Sequence, residues 1–485
     1  MKLTKDGESL KAKSKIIVIP NRSNYVLAWC LEYAIYSRKQ GFLVDIVDVS
    51  RLNARYLEKP NRWVIDSHSS RRRSSREKYI KKICKEHGIV NLTNLINWRV
   101  GFDSKVMNQK TRSYFNVAVR SSYARWYGSS DILVDNIPPS LLAYEEMSFN
   151  LVHDEILVLL KRKQYSEITT VNGRFVPDAA AILAGIDMGI PYRMLEKMTE
   201  DWSHYVPFKV SAQSLSERDQ IIIEEWGNLA KGSIEKKVER AREHLNFRSS
   251  NDWIWQNNTR LELPSEIDYT RQYVVFYLTS DYEFPVYGEE TSAPAISQDD
   301  SVKETSQICK QLNLQLVVKG HPHPGELRLS EIEDRKWQKI CDSLGVIYLK
   351  CDAGFSSLKL AGKSHCNIVY GSTLAIDFVV NNLPVVATSP TDYTTLIPEI
   401  CAFEREKLET LIQNPLKDID PQRLYPWVFS CIEAGIPMNN FKISDDMKVS
   451  YKGEEIDVPL KILLKLRMVF ARVMGRTGHG LSERF

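Results

Sequence analysis

Two His-Pro pairs follow an apolar run in LQLVVKGHPHPGE, residues 314–326. The apolar run predicts a buried parallel strand, because helices cover both faces of such a strand. Lys319, His321 and His323 then place cationic or hydrogen-bonding groups at the carboxyl end of the strand, where open α/β sheets bind ligands. Pro322 holds His321 extended. An imidazole fixed there can donate to a phosphate oxygen or protonate a leaving group.

The doubled pair also fits other interpretations. His321 and His323 form a His-x-His pattern, and alternate residues of a strand share one face, as two metal ligands would. No other His, Asp or Glu cluster shows ligand spacing, so we predict no metal and keep the metal site as an alternative. A purely structural turn is the third interpretation.

CNIVYGSTLAIDF, residues 366–378, predicts an anion site. A strand runs into Gly371, which permits a tight turn, and Ser372 or Thr373 then caps a helix. The free N–H groups and the dipole at a helix start bind phosphate, and hydroxyl groups add donors. Asp377 lies one turn further on, where its carboxylate could accept hydrogen bonds from sugar hydroxyls. An ordinary capped helix would contain the same residues.

YLTSDYEFP, residues 277–285, places a hydroxyl and two carboxylates after another strand. We expect Ser280, Asp281 and Glu283 to lie beside the His-Pro loop. Carboxylates repel phosphate unless they bind hydroxyls or act as acid or base, so their presence favours a sugar or ribose nearby. Solvated turn residues are the alternative.

The first half of the chain contributes one further turn. Asn172, Gly173 and Arg174 follow a predicted strand, and the guanidinium of Arg174 could bind a carboxylate or phosphate through two hydrogen bonds. The helix that starts near Asp178 is rich in small residues, which permits close packing on the sheet. We expect this helix to be structural.

Apolar strands alternate with helices along most of the chain, a pattern typical of doubly wound α/β units with parallel sheets. A linker near residues 263–269 separates two such units, so we expect domains at 1–265 and 266–425, followed by a helical tail at 426–485. The charged stretch near 215–246 is predicted to be a solvated helical insertion or lid. Two such units would face each other across a cleft, with a donor on one half and an acceptor on the other.

Composition narrows the class of protein. The 485 residues carry a net charge of +4, from 65 basic and 61 acidic residues, which is too balanced for a dedicated nucleic-acid binder. The eight cysteines are scattered without a Cys-x-x-Cys pair, as in reduced cytosolic proteins. No signal peptide or membrane-spanning run is recognisable, so we expect a cytoplasmic protein.

Two basic stretches predict contact with an anionic membrane surface. Arg71, Arg72 and Arg73 lie in a basic run at 69–82, and residues 458–476 form a predicted apolar helix with cations mostly on one side. Such segments adsorb to anionic bilayers. We therefore expect peripheral association with the inner face of the cell membrane. A terminal helix that packs back on the protein is the alternative for the second stretch.

The order of the motifs resembles the bacterial capsule polysaccharide synthesis family. Asn-Gly-Arg is followed by Ser-x-x-Glu-Phe, Lys-x-His-Pro, Tyr-Gly-Ser-Thr-x-x-x-Asp and Leu-Pro-Val-Val, and the likeness covers roughly residues 165–395. Members of that family are GT-B glycosyltransferases, including Kdo transferases of capsule and lipopolysaccharide assembly. The resemblance implies two Rossmann-like domains and a nucleotide-sugar donor held by the second unit.

The resemblance also assigns roles. His321 and Pro322 match the His-Pro motif, Ser372 and Thr373 match the hydroxyl pair, and Asp377 stands where glutamate is commoner. The predicted catalytic residues are His321, Asp281 and Glu283. The predicted donor-binding residues are Ser280, Lys319, Pro322, His323, Gly371, Ser372, Thr373, Asp377, Asn172, Gly173 and Arg174.

The resemblance thus implies a metal-independent glycosyltransferase without a cofactor, which transfers a sugar such as Kdo from CMP-Kdo to a surface polysaccharide or glycolipid. Asp45, Asp48 and Glu196 lie at or near predicted strand ends, but the sequence selects none of them as general base. A polyol-phosphate transferase of the teichoic-acid type, a His-x-His metal-dependent hydrolase and a non-catalytic nucleotide-sugar-binding scaffold remain alternatives.

Overall fold

The structure is a computed structural model that describes most of the chain. The described residues are 13–20, 23–50, 76–96, 106–127, 137–211, 214–227, 234–250, 262–280, 297–322, 327–351, 353–444 and 447–456. Within these ranges, no helix combines the length and the hydropathy that crossing a membrane requires.

A seven-stranded sheet forms the centre of the first unit. Its strands are β1 Ser14–Ile19, β2 Leu43–Asp48, β3 Val90–Asn91, β4 Tyr165–Val171, β5 Tyr192–Glu196, β6 His204–Phe208 and β12 Ile436–Pro437. The strand order is β12-β6-β5-β4-β1-β2-β3. β1 to β5 pair with one another in parallel, whereas β6 pairs antiparallel with both β5 and β12. The chain winds outward from β1 in both directions, which is the doubly wound order.

Helices flank this sheet. They are α1 Asn24–Lys39, α2 at 76–87, α3 Gln109–Tyr127, α4 Pro139–Arg162 and α5 Val176–Asp187. The small residues of α5 allow the close approach that the sequence predicted: an added Cβ at Gly185 would lie 2.6 Å from Cγ2 of Ile168 in β4. α5 therefore packs directly on β4, the strand that precedes Asn172.

A five-stranded, fully parallel sheet forms the centre of the second unit. Its strands are β7 Tyr273–Tyr277, β8 Gln315–Lys319, β9 Ile347–Leu349, β10 Cys366–Val369 and β11 Val385–Ala387. The order is β11-β10-β7-β8-β9, so the chain again winds outward from the first strand. All five residues of β7 are buried, as expected for the central strand of a sheet covered on both faces. The predicted fold class, two doubly wound α/β units, is confirmed.

The helices of the second unit include α8 Gln298–Gln311, α9 Leu327–Leu344, α10 Ser357–Ala361, α11 Leu374–Val380 and α12 Arg405–Gln413. α8 has a polar start. The side chain of Ser297 accepts a hydrogen bond from the backbone N–H of Asp300, which satisfies one of the free donors of the first turn.

The charged stretch near 215–246 differs from its prediction. It forms α6 Leu215–Gly227 and α7 Ile234–Ser250, which contact α13 Tyr425–Glu433. Ile222, Ala241 and Leu245 are buried in one core with residues of the second unit such as Val275, Phe378 and Val428. The two helices are therefore neither fully solvated nor a free lid, because a narrow apolar stripe among their charges packs on the second unit.

The predicted helical tail also differs. Only α13 is helical in the part of 426–485 that the structure describes. β12 joins the first sheet, and β13 Phe441–Ile443, β14 Val449–Tyr451 and β15 Glu454–Glu455 form a small antiparallel sheet. Their short apolar segments are separated by turn residues, which suits strands better than a helix.

Several predictions fall outside the described residues. These are the strands expected at 61–66 and 131–135, the basic run with Arg71, Arg72 and Arg73, and the amphipathic helix expected at 458–476.

Candidate functional site

The candidate site lies at the carboxyl edge of the second sheet, where the strand order reverses. β7 has β8 on one side and β10 on the other. Tyr277 is in register with both Lys319 of β8 and Val369 of β10, so the three following loops start at the same level. In open α/β sheets, ligands bind outside this reversal point.

Ser280 and His321 meet at this edge. Ser280 Oγ lies 3.2 Å from Nδ1 of His321, the serine is fully buried and the histidine is partly exposed. If the hydroxyl donates to Nδ1, the neutral imidazole carries its hydrogen on Nε2. His321 would then present the N–H group of Nε2, from which an anionic ligand can accept a hydrogen bond.

The backbone before His321 is held tightly. An added Cβ at Gly320 would lie 2.7 Å from the Tyr348 hydroxyl and 2.9 Å from the Cys351 nitrogen. Both of these groups donate to Oδ1 of Asp334, at 2.7 and 2.9 Å. A side chain at position 320 would therefore collide with this cluster, and Gly320 was not among the predicted site residues. The absence of a side chain between Lys319 and His321 was the only sequence signal for it.

Lys319 and the loop residues complete this part of the edge. Lys319, the last residue of β8, is almost fully buried, and Pro322 is partly exposed. Asp281, Glu283 and His323 lie outside the described residues.

The turn after β10 has the conformation that its glycine predicts. Gly371 has a φ of +61°, a region that favours glycine. Ser372 Oγ accepts from the backbone N–H of Leu374 at 3.2 Å, and the carbonyl of Ser372 accepts from the Tyr393 hydroxyl at 2.6 Å. Thr373 is exposed. α11 starts at Leu374 and has only seven residues.

Asp377 does not face outward as expected. It is 5% exposed, and its two carboxylate oxygens accept from Nε and Nη2 of Arg248, at 2.8 and 3.1 Å. A carboxylate aimed at sugar hydroxyls was predicted, whereas the structure pairs it with a buried arginine of α7. Arg248 was not predicted as a site residue, because nothing in the sequence near Asp377 indicates its partner.

The Asn172–Arg174 turn lies at the corresponding reversal point of the first sheet, since β4 borders β1. Asn172 and Gly173 have φ values of +63° and +78°, and an added Cβ at Gly173 would overlap the side chain of Met194. Asn172 Nδ2 donates to Oε2 of Glu196 at 2.6 Å. Arg174 lies against the ring of Phe175, 4.8 Å from its centroid.

The structure separates the three carboxylates considered as general base. Asp48 and Glu196 are the last residues of β2 and β5, at the carboxyl edge. Asp45 accepts at 2.6 Å from the hydroxyl of Tyr165, the first residue of β4, so it lies toward the opposite edge.

Comparisons with known proteins show only distant likeness. No protein-family model and no curated protein sequence matches the chain. Among solved structures, the β-Kdo 2,4-transferase KpsC of Thermosulfurimonas dismutans is 11% identical with a TM-score of 0.38, over 54% of this chain and 79% of that one. UDP-GlcNAc 2-epimerase of Methanocaldococcus jannaschii, in complex with UDP-GlcNAc and UDP, is 10% identical with a TM-score of 0.27, over 85% and 97%. A glycosyltransferase of Rickettsia africae is 10% identical with a TM-score of 0.26, over 83% and 88%.

Similarity at this level concerns the fold alone. The doubly wound assignment rests on the strand order of the chain's own two sheets.

Proposed function

We propose that the chain is a glycosyltransferase whose second unit binds a nucleotide-sugar donor. The observation that carries the proposal is the Ser280–His321 pair at the reversal point of the second sheet. The Gly371–Thr373 turn starts at the same level on the other side of β7. Their common edge supports the proposal that an imidazole and hydroxyl groups bind a sugar-linked phosphate there.

The proposed chemistry is stabilisation of a departing phosphate. The bond between the anomeric carbon and the phosphate oxygen breaks, and the phosphate leaves with the electron pair. The acceptor hydroxyl oxygen bonds to that carbon and gives up its proton. Fixed donors aimed at the developing charge act most strongly where water is excluded. His321 supplies such a donor through Nε2, and Ser372 and Thr373 supply hydroxyl groups.

The acceptor would lie on the first unit, near the Asn172–Arg174 turn. Asp281 and Glu283 are proposed as acid or base, and His323 and Lys319 as donor contacts. Transfer of Kdo from CMP-Kdo to a surface polysaccharide or glycolipid, at the inner face of the membrane, is the specific form that the motif resemblance favours. The domain limit at 265 is part of the same proposal, whereas the expected limit at 425 moves to the end of α13, because this helix packs in the core of the second unit.

A thermal-shift panel of CMP, UDP, GDP and CDP tests the donor site. A ligand that binds only the native state stabilises it by about 2.7 kcal/mol at 100 times its Kd, so one nucleotide should raise Tm by several degrees. His321→Ala should abolish most of that shift and lower release of nucleotide from the matching nucleotide sugar by about 10² to 10⁴-fold.

His365→Gln is the matched control. His365 lies at the opposite edge of the same sheet, where its backbone N–H donates to the carbonyl of Tyr273 and Nε2 lies 2.8 Å from the carbonyl of Ile412. This variant should keep the nucleotide shift. Absence of any shift in the wild type, or full turnover by His321→Ala, would remove the proposal. A product that carries a polyol phosphate would instead assign the teichoic-acid type of reaction.

A further inference from the structure

Arg248 is a buried arginine near the end of α7. Its side chain is 2% exposed. The guanidinium donates through two nitrogens to Asp377 of α11, and Nη1 donates to Oε1 of Glu200 at 2.9 Å. Nε2 of His244, one turn earlier in α7, lies 3.3 Å from the same oxygen of Glu200.

Burial makes this arrangement costly unless the charges are paired. An ion removed from water loses several kcal/mol of hydration, which close partners must offset. Burial lowers the pKa of Arg248, but the carboxylates of Asp377 and Glu200 outweigh burial and hold this pKa above its usual value. Arg248 is therefore held charged between two carboxylates.

The helix α11 links the Arg248–Asp377 pair to the candidate donor site. Asp377 is the fourth residue of a helix of seven, and it follows Ser372 by five positions. Because so short a helix moves as one piece, fixing Asp377 fixes the turn at 371–373. The planar guanidinium suits this task, since its fork sets direction as well as distance.

The pairing also reaches the first unit. Glu200 follows β5 by four residues, and its backbone N–H donates to the carbonyl of Cys431 in α13 at 2.8 Å. Glu196, at the end of β5, bonds Asn172. A continuous path of contacts thus runs from the Asn172 turn, through residues 196–200 and Arg248, to α11.

We propose that Arg248 is a positioning residue: its fork on Asp377 orients the 371–373 turn toward the donor, and its contact with Glu200 ties that orientation to the first unit. This inference rests on the proposed function, and it replaces the expected contact between Asp377 and the sugar. Arg248 itself touches no substrate.

Arg248→Lys is the first test, because lysine keeps the charge but not the fork. We expect kcat/KM for nucleotide release from the donor identified in the nucleotide panel to fall by about tenfold to a hundredfold, as displacement of a positioned group does. Hydrogen–deuterium exchange should become faster at residues 371–380. Arg240→Met is the matched control, because Arg240 lies on the same helix but pairs at the surface with Glu433; it should change neither measurement.

A double variant, Arg248→Met with Asp377→Leu, separates positioning from stability. Replacing a buried ion pair by apolar side chains is often neutral for stability, so the Tm of the double variant should lie close to that of the wild type. If Arg248 positions the turn, kcat/KM stays low in this variant. Recovery of both Tm and kcat/KM would show a purely structural pair and overturn the inference.

The exchange measurement does not depend on the donor. If the wild type releases no nucleotide from any donor, the proposed function fails, and exchange at 371–380 still shows whether Arg248 holds the turn. Exchange in Arg248→Lys that equals the wild type would overturn the inference even if the enzyme is an active glycosyltransferase.

Discussion

The fold strongly changes the environment of the side-chain carboxyl group of Glu145. It lies in α4, is 2% exposed and accepts a hydrogen bond from the Tyr123 hydroxyl at 2.6 Å. Burial raises the pKa of Glu145 to about 7, although the Tyr123 hydrogen bond opposes this rise. Its ordinary pKa is 4.5, so between these two values the folded state holds a proton that the unfolded state has lost.

Glu145→Gln should therefore stabilise the protein increasingly as pH rises. The wild type loses stability through Glu145 between pH 4.5 and about 7, because the native state binds more protons there than the unfolded state does. One pKa unit corresponds to about 1.4 kcal/mol. The free energy of unfolding of Glu145→Gln should therefore rise relative to that of the wild type by about 3 kcal/mol across this interval, and the difference should then level off.

Urea unfolding of both proteins at pH 4.5, 6, 7 and 8 measures this difference. Tyr123→Phe removes the hydrogen bond that lowers the pKa of Glu145, so the loss of stability in that variant should extend to higher pH. A difference between Glu145→Gln and the wild type that does not change with pH would contradict the assignment.

The candidate site could be predicted only where local sequence carries the signal. Ser280, His321 and Gly371 each follow a recognisable apolar strand, and parallel strands end at a common edge, so their order along the chain was sufficient to group them. The partner of Asp377 could not be predicted, because Arg248 is 129 residues away in a stretch whose charges indicate a solvated surface.

At the scale of elements, the long parallel strands and their helices were predictable and the short ones were not. β7 and the centre of β8 are continuous apolar runs. This pattern is typical of a strand that is covered on both faces. β12 and β15 have two residues each, too few to show a period. Helices α6 and α7 were misjudged because their buried stripe is narrow and their partner, α13, lies about 200 residues further along the chain.

The turn between α13 and β12 shows how strictly one element depends on backbone geometry. Gly435 has a φ of +98°, and an added Cβ would collide with the carbonyl oxygen of Tyr205 and lie 2.7 Å from Cγ2 of Val206. The next residue, Ile436, pairs with Tyr205 of β6. Glycine is therefore required both for the turn and for the approach of β12 to the first sheet.

Gly435→Ala should lower the free energy of unfolding by more than the conformational cost alone. A non-glycine residue at such a φ costs about 1 to 3 kcal/mol, and the collision with Tyr205 adds displacement of β12. Gly41→Ala is the matched control, since Gly41 has a φ of +88° but no atom within 4 Å of an added Cβ. Equal losses for the two variants in urea unfolding would show that β12 moves away without cost.

At the scale of the whole molecule, the chain passes from the second unit back to the first. α13 packs in the core of the second unit, and the described residues that follow it, 436–444 and 447–456, then lie on the first. Two carboxylates of the first unit hold this return segment. Glu32 of α1 is buried and accepts from the backbone N–H groups of Asn440 and Phe441, and Glu86 accepts from Tyr451 and Lys452 at the surface.

Glu32→Gln should loosen the return segment more than Glu86→Gln does. Each variant removes one negative charge that the first unit presents to this segment. A glutamine at position 32 keeps a single acceptor oxygen where the carboxylate satisfies two backbone donors and the Asn440 amide. Its oxygen can take the place of Oε2, but its amide then faces the Asn440 amide donor to donor. The two backbone N–H groups also lose a charged acceptor, whose hydrogen bonds are worth about 1.5 to 3 kcal/mol each, whereas the partners of Glu86 can turn to water. Limited proteolysis should therefore cut residues 436–456 faster in Glu32→Gln than in Glu86→Gln or the wild type. Equal cutting rates in the two variants would mean that the antiparallel pairing of β12 with β6, rather than the Glu32 contact, holds the return segment on the first unit.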